Sequence, residues 1–179
     1  MTQTPPRIIR TERLFLRPPE MTDAEAIFDA YARDTEVTRY LSWRADASVA
    51  ETREFMRGRL EELKAGKKYA WLITKGEGQA GVGMIDISND RHKASVGYVL
   101  ARTEWGKGYM TEALRAVIGA AFTLPQVYRV WAVCDVDNVG SARVLEKAGM
   151  IFEGVLKRWT MHPNVSDEPR DVRCYAVTR

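Results

Sequence analysis

The sequence is poor in the residues on which metal, disulfide and histidine chemistry depend. Its 179 residues include two cysteines and two histidines. Cys134 and Cys174 lie in apolar, strand-like surroundings, which suits reduced buried thiols better than a disulfide framework or a zinc site. His92 and His162 each sit in a turn-like stretch with no Cys or His nearby. Both therefore read as surface residues, so histidine triads and metallohydrolases recede and no metal is expected. Long apolar runs are missing too, and the opening MTQTPPRIIR lacks the apolar core of a signal peptide. A cytoplasmic protein without membrane contact is the expectation. There is no repeat, no low-complexity tract and no long run of like charge.

What remains is an ordinary globular composition, 45% apolar and 28% charged, in a chain of one-domain length. A single domain over 1–179 is expected, with 1–7 flexible. The net charge of +3 is too small to mark a nucleic-acid protein, although it mildly favours an anionic ligand.

The pattern alternates between the periods of strand and helix. RLFLRP reads as a short strand ended by Pro18 and Pro19. TDAE predicts a capping box with Thr22 as N-cap and Glu25 reaching back, and SVAE a second box opening a longer helix at Ser48, closed by Gly66. YAWLIT, AGVGMIDIS and ASVGYVL form an antiparallel meander. An apolar stripe from Met110 to Ala121 marks a helix that ends at Pro125. VYRVWAV is a strand, SARVLEKAG a short helix, and GVLKRWTM and VRCYAV complete the sheet. The result is an α/β (α+β) domain: one mixed, mostly antiparallel sheet flanked by about four helices, in the order β-α-α-β-β-β-α-β-α-β-β.

The segment EWGKGYMTEAL stands out, with glycines on both sides of Lys107 immediately before the helix. A Gly-x-Gly here serves either as a tight entry turn or as a cradle whose amides meet a phosphate at the helix N-terminus. A nucleotide P-loop needs Ser or Thr after Gly-Lys, and a dinucleotide fingerprint needs a third glycine; neither is present.

Three segments in order, RTERLFLRPPEMTDAEAIF, VGYVLARTEWGKGYMTEAL and DVDNVGSARVLEKAGMIFEG, resemble the GNAT superfamily of acyl-CoA-dependent N-acyltransferases, in its RimJ/RimL-like branch. The resemblance covers nearly the whole chain and implies a splayed sheet with acetyl-CoA as co-substrate. It implies that Trp105, Gly106, Lys107, Gly108, Tyr109 and Met110 meet the pyrophosphate, and that backbone at Val99, Leu100 and Ala101 pairs with the pantetheine arm. Asn138 would bond that arm, Ser141 would protonate the departing sulfur, and Arg143 could reach a phosphate. From the residues alone, Asn138 and Ser141 read equally as a helix cap.

Many relatives carry Glu-Ile-Gly-Tyr on the strand before the loop, whereas this chain reads SVGY, with Ser95 at the glutamate position. If the turn between the two strands covers Ser88 to Lys93, Asp86 faces Ser95 and offers a carboxylate one strand over. Asp86 reads equally as a strand-end residue bonded to the turn. Tyr40 and Trp43, with Ser95, are candidates for the acceptor wall. The implied reaction is acetyl transfer to a primary amine, a protein N-terminus first and a small-molecule amine second. A non-catalytic acyl-CoA sensor and an RNA-associated protein using Arg7, Arg10, Arg13 and Arg17 are the competing readings. Direct nucleic-acid binding is not expected, and the chain is a monomer or a homodimer.

Overall fold

A computed structural model describes residues 4–66 and 68–179. Eight strands form one sheet in the order β1-β2-β3-β4-β5-β6-β8-β7. They are β1 (Ile9–Arg10), β2 (Phe15–Arg17), β3 (Lys68–Thr74), β4 (Gly83–Asp90), β5 (Lys93–Leu100), β6 (Arg129–Asp135), β7 (Ile151–Thr160) and β8 (Arg170–Thr178). Every pairing is antiparallel except β5 with β6. The helices are α1 (Ala24–Ile27), continued by a π-turn over Phe28–Ala32, then α2 (Thr35–Thr38), α3 (Val49–Lys64), α4 (Tyr109–Phe122) and α5 (Val139–Lys147).

The period-two alternation of β3 and β4 builds two cores, one on each side of the sheet. Trp71, Ile73, Ile85 and Ile87 point to the side covered by α4 and α5, where Leu114, Val117 and Leu145 are fully buried. Leu72 and Met84 point the other way, onto Ile27, Tyr31 and Met56 of the N-terminal helices. The stripe from Met110 to Ala121 is therefore core packing, buried along its length.

Three details differ from the sequence expectation. The first cap lies two residues earlier: Asp23, not Glu25, reaches back to the Glu20 amide at 2.7 Å while also binding Arg17, and a 3-10 turn (Met21–Asp23) precedes α1. At Ser48, Glu51 accepts from the Ala47 amide at 2.9 Å and the serine hydroxyl makes no cap bond. Strand β1 was not foreseen, because two residues are too few to show a period. At the start of the chain Pro5 is buried and the Pro6 carbonyl accepts from the Trp71 indole at 3.1 Å, while the part of the expected flexible 1–7 that falls on 1–3 lies outside the described residues.

Among the described residues no helix is long and apolar enough to cross a membrane. The arginine strip expected of an RNA-associated protein does not form. Arg10 pairs with Glu77, Arg13 with Glu112 and Arg17 with Asp23.

Leu114 is fully buried in the larger core, so Leu114→Ala should cost about 2–5 kcal/mol. Urea unfolding should show the midpoint fall with the slope unchanged, whereas Val139→Ala, at a half-exposed position, should leave it within about 0.5 kcal/mol.

Candidate active site

Strands β5 and β6 pair only from Lys93–Ser95 with Arg129–Trp131 and then separate. β6 remains held on its other edge, paired with β8 through Asp135. The wedge between them opens into a cavity of about 1380 Å³ lined by Val96–Leu100, Val133, Cys134, the glycine loop and the first turns of α4 and α5. A cavity above the usual range of roughly 300–1,000 Å³ has room for two substrates at once.

The ladder decides which backbone groups face the wedge. The Ala101 amide donates to the Val82 carbonyl, and the register pairs Val99 with Met84 and Gly97 with Asp86. In an antiparallel ladder the bonded pairs alternate, so Val99 and Ala101 spend their main-chain groups on β4, and Tyr98 and Leu100 turn theirs toward β6. Of the three expected positions, Leu100 turns its main chain to the wedge, Val99 lines the cavity with its main chain turned to β4, and Ala101 is absent from the cavity wall. The Leu100 carbonyl is taken by the Trp105 indole at 2.8 Å, leaving its amide open to the wedge.

At the loop, Gly106 and Gly108 have φ of 75° and 81°, a region costly for any residue with a Cβ. Gly108 is also the N-cap of α4, so the loop amides gather at the positive end of a 14-residue helix. Lys107 turns its ammonium back onto Glu104 at 3.1 Å and stays off the cavity wall. Trp105, Tyr109 and Met110 line the wall, with Trp105 half exposed and Met110 buried. Arg13 anchors the loop by donating to the Lys107 carbonyl at 3.0 Å and to Glu112 at 2.6 Å. Burial opposes charge on Glu112, but bonds from Thr11 and Arg13 hold its carboxyl below the usual range. Arg143 lines the cavity as expected, joined by Arg13, Arg115 and Lys147. The sequence put Arg13 in an arginine strip and gave no sign of Arg115 and Lys147, because a cation on a helix face normally signals only solvent.

Asn138 is the N-cap of α5: its side-chain oxygen accepts from the Ser141 amide at 3.0 Å. The cap uses only that oxygen, so the side-chain NH2 remains for a ligand. Ser141 lies against Tyr98, hydroxyl to hydroxyl at 2.7 Å. Burial pushes the Tyr98 phenol well above its ordinary range, which keeps it protonated. Burial likewise pushes the Cys134 thiol up to about 11.

The meander turn is tighter than expected, with Arg91 and His92 between the paired Asp90 and Lys93. Asp86 therefore faces Gly97, and Ser95 faces Ser88. The Asp86 carboxylate points to the α3 side, 3.4 Å from Arg59, and neither Asp86 nor Ser95 lines the cavity. Burial raises the Asp86 carboxyl above the usual range, partly offset by Arg59 and Lys68. Of the acceptor-wall candidates, Tyr40 lines the cavity with Val37, Leu41 and Ser42. Trp43 instead stacks on Phe55, ring centroids 5.9 Å apart.

A family model for an acetyltransferase (GNAT) domain matches residues 13–151. The chain belongs to this family. It is 29% identical over 175 residues to the uncharacterized N-acetyltransferase YoaA of Bacillus subtilis, covering 96% of this chain and 97% of that one. It is 29% identical over 130 residues to the ribosomal-protein-serine acetyltransferase of Escherichia coli, covering 72% and 71%. The structure of Mycobacterium smegmatis RimJ in complex with CoA-disulfide superposes with a TM-score of 0.80 at 26% identity, covering 92% and 81%. The protein is thus an acetyltransferase with the fold the resemblance implied.

One acetyltransferase side chain was misread from sequence. His162 is 5% exposed, not a surface residue, and lines the cavity beside Thr160. Its Nδ1 lies 2.8 Å from Asp135 at the end of β6. Arg170 binds both oxygens of Asp135, at 2.6 and 2.9 Å, and also Asp137. Burial works against charge on Asp135, but Arg170, the Asp137 amide and His162 hold its carboxyl down to about 2. Nothing local in TMHPN announces the pairing, since Asp135 is 27 positions away.

A carboxyl depressed on folding contributes stability above its unfolded pKa and loses it as pH falls toward the folded one. Asp135→Asn should destabilise by about 3 kcal/mol at pH 7. Chemical denaturation across pH should show the gap to wild type constant above about pH 5 and closing between about 4 and 2.

Proposed function

We propose that this acetyltransferase moves the acetyl group of acetyl-CoA to a primary amine by direct attack within a ternary complex, and that the acceptor is the N-terminal α-amino group of a protein. The single observation that carries the reading is the wedge between β5 and β6, whose ladder phase leaves the amides of Tyr98 and Leu100 facing it and whose wall carries the glycine loop and the Ser141–Tyr98 hydroxyl pair.

In this reading the pantetheine arm lies in the wedge as a substitute strand, bonded by Tyr98, Leu100 and the Asn138 NH2. The pyrophosphate sits on the amides from Trp105 to Met110, with Arg143, Arg115 and Lys147 near the remaining phosphate. A wedge amide polarises the thioester carbonyl and stabilises the oxyanion. The amine lone pair attacks the carbonyl carbon, the adduct gives up an N–H proton to a base, the C–S bond breaks, and the thiolate takes a proton from Ser141, which is backed by the Tyr98 hydroxyl and regains its proton from solvent. Burial holds the Cys134 thiol in its protonated form, which makes it a poor acyl carrier and fits direct transfer.

The protein acceptor draws support from the ribosomal-protein-serine acetyltransferase among the relatives. Free-thiol release from acetyl-CoA should appear with short peptides bearing Ser or Ala N-termini and exceed that with polyamines, aminoglycosides or amino-acid conjugates. Release confined to one small amine would replace the acceptor. Binding of acetyl-CoA without release on any amine would favour a sensor. Ser141→Ala should lower kcat by about 10²-fold with little change in the KM for acetyl-CoA.

A further inference from the structure

We propose that His162, oriented by Asp135, is the general base that takes the proton from the acceptor amine. This rests on the acetyl-transfer reading above and names the group that does the work left open by Ser95.

The wall of the cavity offers few alternatives. Its carboxylates are Glu12, Glu104 and Glu112, all near the glycine loop where the phosphates would lie. Glu104 is held by Lys75 and Lys107, and Glu112 by Thr11 and Arg13. The tyrosines and Cys134 would first have to lose a proton. Asp86 is off the wall, paired with Arg59.

His162 lines another stretch of the wall, beside Thr160. Asn164, two residues on, donates to the carbonyls of Thr38 and Trp43 at 2.7 and 2.8 Å, which ties this segment to the wall formed by Val37 and Tyr40–Ser42. Asp135 accepts from Nδ1, so the neutral ring carries its proton there and presents the lone pair of Nε2. Nε2 has no protein partner among the described residues, and the ring borders the cavity. The charged groups joined to the pair are Arg170 on β8 and Asp137 after β6, with Cys134, Tyr40 and Tyr98 the other titratable groups of the neighbouring wall. Arg170 and the Asp137 amide occupy the Asp135 oxygens from behind, which leaves His162 Nε2 as the side of the cluster open to a substrate.

As the amine nitrogen bonds to the thioester carbon, its N–H proton passes to Nε2, giving an imidazolium that Asp135 stabilises. Expulsion of the thiolate and its protonation by Ser141 complete the transfer; the imidazolium returns its proton to solvent and the Ser141 alkoxide takes one back from solvent. Atoms and charge then balance with no further reactant.

Nitrogen-15 NMR of the wild-type protein tests the tautomer directly, since only His92 and His162 contribute and His162→Asn assigns them. Neutral His162 should carry its proton on Nδ1; an Nε2–H tautomer would overturn the proposal. The Asn variant keeps a donor for Asp135, so acetyl-CoA binding by calorimetry should stay within about twofold while kcat on the best peptide of the panel falls by about 10²–10⁴. The acidic limb of wild-type kcat should follow the NMR titration of His162, stay in place when an acceptor amine of different pKa is used, and vanish in the variant. An unimpaired variant, or a limb that moves with the amine, would overturn the base while leaving acetyl transfer intact. If His162→Asn fails to fold, His162→Gln carries the same comparison. Wild-type silence on every amine would overturn the acetyl-transfer reading and the base with it.

Discussion

The separation of β5 from β6 after Ser95 and Trp131 is the constraint on which the site depends. A parallel pair is held by slanted, evenly spaced bonds and ends wherever one strand is drawn elsewhere. Here β6 is drawn to β8, with which it stays paired to Asp135, while β5 stays paired with β4 to Leu100. Each strand keeps one satisfied edge and exposes the other. Exposed edges inside a fold are costly unless something fills them, and a ligand with its own amides is the natural filler. The same divergence sets two helix N-termini, those of α4 and α5, at the cavity wall.

Electrostatics divide the cavity into two ends. At the glycine loop, cations surround the carboxylates Glu104 and Glu112, so both stay charged and fix the loop rather than repel an anion. At the other end, Asp135 is buried at 1% exposure yet remains a carboxylate, because Arg170, the Asp137 amide and His162 all donate to it. A buried charge so fully satisfied is rigid, and a rigid carboxylate orients what it binds. The hydroxyl pair of Ser141 and Tyr98 belongs to the walls in between, where the thioester would lie.

What was legible in the sequence followed the range of the interaction. Gly106 and Gly108 answer a local backbone demand, so their pattern showed them, as did the cap at Asn138 and the two strand faces of the meander. Asp86 was placed wrongly because a turn two residues long, rather than a longer one, slides the whole β4–β5 register by two. Which main-chain groups from Val99 to Ala101 face the wedge turns on the phase of the same ladder, fixed by one bond, Ala101 to Val82, that the sequence does not announce. His162 was missed because its burial comes from Asp135 and from the docking of Asn164 onto Thr38 and Trp43, contacts between segments far apart in the chain.

Hydrogen exchange with and without acetyl-CoA measures the central claim most directly. Filling of the wedge should slow the amides of Tyr98, Leu100 and the Gly106–Gly108 loop, while Val99 and Ala101, already bonded to β4, change little. Protection at Val99 and Ala101 instead, or none along β5 at saturating acetyl-CoA, would contradict it.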